Sequence, residues 1–351
     1  MILKQSFNDF LSTGKSGVSL DDTRSSKIQT AHNAVRDYLE SLDEIKAIYN
    51  ETFLQGSYRL NTAVRPQGDG EYDVDVILSL SLVDRNGNMP DSKVVIKRLV
   101  ELLELNGTYK GKVKQKNRCA RINYVDGFHM DVVPAHCDGN TEAPLRVPSE
   151  WDYSHPKGFR TWCVERHEKS NKNFYSVVKM LKWWRNLRYG DTGSPKSILL
   201  TTLVGNHISA SDISIDTSLV ETMESLNGRL KLYQFVPQVP NPSLQAENLS
   251  RTWSQEDYEE FKESFDSATK KARLALNERD EKKAIEIWNS KILFDGTFPK
   301  TVRGLGEDEK RINEAMKSNT LFMGSNGIIG TAKRSVNIPA TNFYGTEGKE
   351  K

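Results

Sequence analysis

Two carboxylates, Asp73 and Asp75, sit one residue apart in the apolar run EYDVDVIL, and a third, Asp131, sits in the comparable run FHMDVVPAH. Side chains alternate between the faces of a strand, so with Val74, Val76, Leu78 and Leu80 on one face, Asp73 and Asp75 share the other. Close to a hairpin strand carrying Asp131, they would form a dense negative cluster, which raises its own pKa values or unfolds the sheet unless positive charge compensates it. Magnesium is the natural compensation, a hard cation that takes carboxylate oxygens together with substrate phosphates. Three carboxylates can hold two such ions about 4 Å apart, one activating an attacking hydroxyl and one neutralising a triphosphate and its leaving pyrophosphate. Manganese can take the same places.

Gly56-Ser57, in LQGSYRLNTAVRP, precedes the acidic run and fits the same chemistry. A turn without a Cβ lets backbone N–H groups approach phosphate oxygens closely, and the serine hydroxyl adds a donor. A lone DxD is more often a solvated strand face, and a lone Gly-Ser says less still. Together, a Gly-Ser turn, DVD among aliphatics and a later aspartate beside a hairpin describe a site.

The elements that must hold these residues are legible in the spacing. SFNDFLSTGKSG reads as a short helix ended by glycine. From Asp21 to about Glu51, Ile28, Ala31, Val35, Leu39 and Leu42 recur at three- and four-residue intervals, which predicts one long amphipathic helix. Thr52 to Ser57 reads as a strand edge ending in the turn, Tyr72 to Leu80 as a strand and Val94 to Leu105 as a second amphipathic helix. Arg118 to Val125 and Phe128 to Val133 are strands joined by Asp126-Gly127, a hairpin signal.

From Asn173 onward strand signals nearly vanish. Phe174, Val177, Leu181 and Trp184 share one helical face, Ile198 to Ile208 reads as another helix, and Gln255 to Ile292 as a long charged one begun by Ser254 and Asp257. VPQVPNPSLQAENLS reads as a rigid loop, and the chain after Phe322 as a mobile tail. The first half is thus mixed α and β, the second helical.

Length and charge bound the reading. With 351 residues, two lobes are expected. The formal charge is only +2, so global electrostatics predicts no affinity for nucleic acid or anionic membrane, and any basic site must be local. The cysteines, Cys119, Cys137 and Cys163, are scattered and odd in number, which suits a reducing compartment. With no signal-peptide pattern and no membrane-length apolar run, a cytoplasmic protein is expected.

GSYRLNTAVRP followed by EYDVDVIL resembles the GS…DxD signature of the DNA polymerase β nucleotidyltransferase superfamily. Thr62 and Pro66, the long preceding helix and the helical second half make the chain resemble the cGAS/DncV-like nucleotidyltransferases of bacterial anti-phage signalling operons. The resemblance spans about Asp21 to Arg311. It implies an α+β fold of two lobes, a mixed-sheet catalytic lobe over 1–165 and a helical lobe over 166–322, with the active site in the cleft between them and a flexible tail over 323–351.

Residue by residue, it implies that Gly56 and Ser57 bind phosphate and that Asp73, Asp75 and Asp131 are catalytic metal ligands. It implies that Lys182, in VVKMLKWWRN, contacts a triphosphate. In SPKSILLTTLVGNH it points to Ser197, with Lys196 beside it, at a helix start whose free N–H groups favour an anion. The implied activity joins nucleoside triphosphates, ATP among them, into a cyclic di- or trinucleotide messenger with release of pyrophosphate. No side-chain general base is needed. No membrane and no obligate nucleic acid are implied. In this family C-terminal tails can engage regulatory proteins of the same operon, and RSVNIPATNFYG is the candidate segment.

Other constellations are weaker. His129, His136, Cys137, His155, Cys163 and His167 match no ordinary zinc spacing and read as packing and cleft residues. WDYSHPKGFRTW reads as an aromatic linker between lobes near where a base could stack, with Asn206 and His207 as the other place for base selection. Two competing readings stay open: a terminal transferase of tRNA or poly(A) type, disfavoured by the near-neutral charge, and an inactive nucleotidyltransferase fold serving as a binding module, disfavoured by the three carboxylates.

Overall fold

The computed structural model describes residues 3–13, 17–67, 71–84, 86–125, 127–190, 193–294 and 296–299, and the backbone of three two-residue strands further on. Residues 1–300 form one compact unit and residues 301–351 a second.

Helix α1 (Lys4–Phe10) is followed by α2 (Asp22–Ser41), whose N-cap Asp21 accepts a hydrogen bond from the Arg24 N–H at 2.8 Å. The single long helix expected over 21–51 is divided. Leu42 adopts an extended conformation, a short α3 (Asp43–Lys46) follows, and strand β1 (Tyr49–Gln55) begins earlier than the spacing suggested. The extended residue lets the chain turn back so that β1 can pair with β2.

The sheet is completed by a four-residue turn α4 (Gly56–Arg59), then β2 (Tyr72–Leu80), helix α5 (Ser92–Glu104), β3 (Val113–Gln115), β4 (Ala120–Tyr124), β5 (Phe128–His136), β6 (Leu145–Val147) and β7 (Asp152–Ser154). Its central order is β1-β2-β5-β4-β3, with β6 pairing the end of β5 and β7 pairing β6. The β2–β5 pair is parallel and the other pairs are antiparallel, so the sheet is mixed. Pro134 is tolerated within β5 because β4 stops opposite Val132.

One face is covered. Val74, Val76, Leu78 and Leu80 of β2 and Met130 and Val132 of β5 pack against Ile28, Val35 and Leu39 of α2 and Leu99, Leu102 and Leu103 of α5. The other face is apolar only toward one end, where Phe53, Ile77, Val133, Ala135 and Leu145 cluster. Toward the opposite end the same face carries Asp73, Asp75, His129 and Asp131.

The helical half comprises α6 (Pro156–Lys169), α7 (Phe174–Tyr189), α8 (Ser197–His207), α9 (Ile215–Lys231), α10 (Gln255–Asn277) and α11 (Glu281–Ile287), which runs into a π turn over Trp288–Leu293. The WDYSHPKGFRTW segment is therefore not a bare linker, since it supplies β7 and the first turns of α6. The expected helix over 255–292 starts as predicted, with Ser254 accepting from the Asp257 N–H at 3.0 Å. It then breaks at the extended Glu278 and restarts beyond Asp280, whose carboxylate accepts from the Lys282 and Lys283 N–H groups. The proline-rich segment contains a small hairpin, β8 (Pro240–Asn241) with β9 (Leu244–Asn248).

Trp184 anchors this half, edge-on to Phe261 at 5.7 Å and Phe265 at 5.5 Å. The N-terminal α1 also belongs here, its Phe7 meeting Trp288 at 5.2 Å and Phe298 at 5.0 Å. No helix among the described residues is long and apolar enough to cross a membrane. The second unit shows a three-stranded sheet, β10 (Phe322–Met323), β11 (Ile329–Gly330) and β12 (Val336–Asn337). Most of the expected tail, including most of RSVNIPATNFYG, lies outside the described residues.

Candidate active site

Parallel pairing of β2 with β5 sets Asp75 directly beside Asp131 and Asp73 beside His129. On the far side of β2, Gln55 is the register partner of Asp75, so the turn at Gly56 begins at the edge of the carboxylates. Gly56 has φ +69°, and a Cβ built on it would overlap Oδ2 of Asp75 and come within 3.3 Å of its Cγ. Glycine is thus required twice here, by the left-handed backbone and by the approach to the carboxylate. Thr62, fully buried, closes the turn by donating its N–H to the Ser57 carbonyl at 2.9 Å.

Burial, reinforced by the charges of Asp131 and Asp73, pushes the Asp75 carboxyl up to about 6, with Arg121 and His129 opposing. Asp73 is the exposed member, its side chain 62% accessible, and His129 Nε2 closes on its Oδ1. Asp131 is held from β4: Arg121 donates Nε to Oδ1 at 2.7 Å and Nη2 to Oδ2 at 2.7 Å, and Nη2 also reaches Asp73 at 3.3 Å.

Arg121 was not singled out from the sequence. The signal lay in hairpin register, because counting back from the Gly127 turn sets Arg121 opposite Asp131.

Lys182 comes from α7. It is only 4% exposed, and its Nζ donates to the Thr62 carbonyl at 3.1 Å. Burial, and after it Arg185, pushes its ammonium down to about 7, while Asp75 opposes the shift. One turn earlier, Lys179 reaches Ser19 Oγ at 3.2 Å and Asn61 Oδ1 at 3.3 Å, so α7 holds the Ser57–Thr62 turn through two lysines. Ser197 opens α8 as its first residue, its hydroxyl accepting from Arg185 Nη2 at 3.3 Å rather than capping the helix.

Gly56, Ser57, Thr62, Asp73, Asp75, Lys182 and Ser197 line one cavity of about 720 Å³, whereas Asp131 and Arg121 are not among its lining residues. Its far wall carries Lys157, which bridges Glu51 at 2.7 Å and Glu142 at 2.8 Å and lies 5.2 Å over the Phe53 ring. His155 and Phe159 line the cavity, whereas Trp151, Trp162, Asn206 and His207 do not. His155 acts as a clasp, its ring nitrogens 3.1 and 3.0 Å from the Ser243 and Glu142 carbonyl oxygens. Burial pushes the thiols of Cys119 and Cys163 up to about 12, and His167 stacks on Tyr175, so these residues pack rather than ligate.

The donor set of three carboxylates is that of a hard divalent cation. As they stand the carboxylates point to different partners, and among the described residues no three His, Cys, Asp or Glu side chains are placed to hold a metal ion. Asp75, half-buried beside two like charges, is the member whose carboxyl is raised, even though Arg121 and His129 oppose the shift.

A mixed sheet with carboxylates on one face, a glycine-serine turn at its margin and a helical half across a cavity make up an α+β fold of the DNA polymerase β-like kind seen in CdnC. Residues 1–167 match the Second Messenger Oligonucleotide or Dinucleotide Synthetase domain. The chain is 28% identical to the cyclic AMP-AMP-AMP synthase of an Acinetobacter species, covering 98% of this chain and 96% of that one. It is 27% identical to the c-di-GMP synthase of Roseivirga ehrenbergii, covering 97% and 98% respectively. In fold it resembles CdnC of Escherichia coli MS115-1, solved with ATP, at a TM-score of 0.67 and 15% identity over 84% of this chain and 98% of CdnC. Another structure of CdnC is a complex with HORMA-deltaN. Through these matches the chain is similar in sequence to nucleotide second-messenger synthases and in fold to CdnC.

Proposed function

We propose that this chain is a nucleotidyltransferase that condenses nucleoside triphosphates, ATP among them, into a cyclic di- or trinucleotide second messenger that serves anti-phage defence signalling. The carrying observation is the adjacency of Asp75 and Asp131 across β2 and β5, with Asp73 two residues away and Gly56-Ser57 at the same margin. In this reading Asp73, Asp75 and Asp131 are the catalytic carboxylates and Gly56, Ser57, Lys182 and Ser197 hold the donor triphosphate. Residues 1–165 act as the catalytic domain and 166–322 as its helical partner.

Two magnesium ions, or manganese in their place, would be held by the three carboxylates and would supply activation of the attacking hydroxyl and neutralisation of phosphate charge. Arg121, which donates to both oxygens of Asp131, would compete with such a cation for that carboxylate and would stand beside the phosphate oxygens it brings. Lys182, short of a full charge at neutral pH in this environment, gains its proton as the triphosphate arrives, which ties substrate binding to charge balance. Ser57 and the Gly56 turn orient the donor in line with the acceptor hydroxyl. At each transfer the acceptor hydroxyl gives its proton to solvent and its oxygen bonds the α-phosphorus as the bond to pyrophosphate breaks; the second transfer closes a dinucleotide ring and the third a trinucleotide ring.

The relatives named as cyclic AMP-AMP-AMP and c-di-GMP synthases support the reaction class. The CdnC complex with HORMA-deltaN supports an operon-encoded regulatory partner, for which the C-terminal segment 323–351 is the proposed contact.

The test is incubation with all four labelled nucleoside triphosphates and magnesium or manganese, then phosphatase digestion and mass spectrometry. A phosphatase-resistant cyclic product is expected. Linear product alone would replace this reading with terminal transfer.

A further inference from the structure

The row of side chains that carries Asp75 and Asp131 does not stop at Arg121. Strand register sets Asp131 beside Arg121 and Arg121 beside Lys114 of β3, all on one face of the sheet. Lys112 and Lys116 flank Lys114 at two-residue spacing in KVKQK, while the intervening Val113 packs into the core on the opposite face. Lys114 therefore stands on the carboxylate face, and Lys112 and Lys116 adjoin it at the two ends of β3. All three are exposed, and none makes a side-chain hydrogen bond or ion pair among the described residues.

Other charges nearby are engaged. Arg121 is held by Asp131 and Asp73, and Arg118 by the Pro148 carbonyl at 2.7 Å and Asp152 at 3.9 Å. Glu104 accepts from the backbone N–H groups of Gly111 at 2.8 Å and Val113 at 3.1 Å.

Lysines on an edge strand guard against strand addition. Their position in the row argues for more. On one side of Asp75 the row meets the Gly56-Ser57 turn, and on the other it runs across β5 and β4 to the lysines, three strand spacings or about 14 Å away. An acceptor nucleotide whose hydroxyl attacks at the carboxylates carries a triphosphate of its own. With donor phosphates on the Gly56 side, like-charge repulsion directs the acceptor's phosphates to the opposite side, within the reach of one nucleotide.

We propose that Lys112, Lys114 and Lys116 form a receiving surface for the 5′-triphosphate of the acceptor nucleotide, an inference that rests on the nucleotidyltransferase reading above. The decisive variant carries Lys112→Glu, Lys114→Glu and Lys116→Glu together, with the corresponding triple arginine variant as the conservative control. With 2′,3′-dideoxy-ATP as a donor that cannot act as acceptor, the glutamate variant should raise KM for ATP as acceptor about tenfold. KM for the donor and turnover with AMP as acceptor should not change, and the arginine variant should behave as wild type. An acceptor KM equal to that of wild type overturns the proposal and leaves the lysines as edge protection.

Inorganic tripolyphosphate, titrated calorimetrically with magnesium, gives a readout independent of turnover. Two sites in the wild type and one in the glutamate variant are expected, and one site in both overturns the inference. If the wild type transfers no nucleotide, the functional reading fails by itself and the titration still decides this one. Loss of duplex RNA or DNA binding in the glutamate variant, with acceptor KM unmoved, overturns it in favour of a nucleic-acid surface.

Discussion

Gly56 and Asp75 occupy touching positions at the margin of the sheet: the space a Cβ on Gly56 would need is filled by Asp75 Oδ2. Gly56→Ala must therefore displace the carboxylate as well as strain a backbone at φ +69°. Nucleotide transfer should fall by at least about a hundredfold, the scale of a displacement near 1 Å. Stability should fall by only about 1–2 kcal/mol, so a thermal melt and an activity assay on one preparation separate the two effects.

Asp73→Asn with Asp75→Asn removes charge without removing volume. Because burial and like charges hold the Asp75 carboxyl up at about 6, its ionised form is a liability in the metal-free fold. The double variant should melt at or slightly above the wild-type temperature without metal. Magnesium with ATP should raise the wild-type Tm by several degrees and leave the variant unmoved. A full ligand-induced shift in the variant would remove these aspartates from the metal site.

Arg121 is the native counter-ion of Asp131 and competes with any cation for it. Arg121→Gln should lower the Tm measured in EDTA, because a half-buried carboxylate loses its partner. It should also tighten magnesium binding, read as a lower midpoint in a magnesium titration followed by thermal shift. A weaker midpoint would mean that Arg121 helps to shape the metal site instead of masking it.

Asp75 and Lys182 give the metal-free chain a pH profile with a trough. Asp75 keeps its proton to about 6 when folded against an ordinary 3.8, so the folded state binds more protons over that interval and stability falls as pH rises through it. Lys182 loses its proton near 7 when folded against an ordinary 10.5, so the unfolded state binds more protons above 7 and stability rises with pH up to the unfolded value. Minimum stability is expected between pH 6 and 7, with an acid limb of up to about 3 kcal/mol and an alkaline limb of up to about 5 kcal/mol. Urea midpoints at pH 5, 6.5 and 9 in EDTA test this, and Lys182→Met should flatten the alkaline limb alone.

Trp184 carries the helical half. It is 2% exposed and packs edge-on against Phe261 and Phe265. Trp184→Ala should cost about 3–5 kcal/mol. Because Lys182 sits two residues earlier on α7, ATP binding should weaken along with stability, whereas Leu232→Ala, at a 73% exposed position, should change neither.

Much of the candidate site could be read before any fold was known. The alternation in EYDVDVIL sorted Asp73 and Asp75 from the apolar face, and the Gly127 hairpin paired β4 with β5. Where the reading failed, tertiary contacts had overridden local periodicity. Leu42 continues the three-four spacing of α2 yet is extended, because the chain must turn to bring β1 onto β2. WDYSHPKGFRTW looked like a linker because aromatic content conceals a helix that Pro156 starts.

The sequence by itself determined the chemistry available: three carboxylates on strand faces, a glycine where only glycine can turn, and a lysine on an amphipathic helix. These follow from side-chain type and from periods of 2 and 3.6, which are local properties of the chain. Only the tertiary structure decided that β2 and β5 run parallel, so that Asp75 meets Asp131. It alone decided that Arg121 pairs with one carboxylate while burial and like charges raise the Asp75 carboxyl to about 6, and that Lys182 is buried against Thr62. Strand order, register and burial depend on which distant segments share a core, and the energy of a charge depends on what surrounds it, which no local window contains.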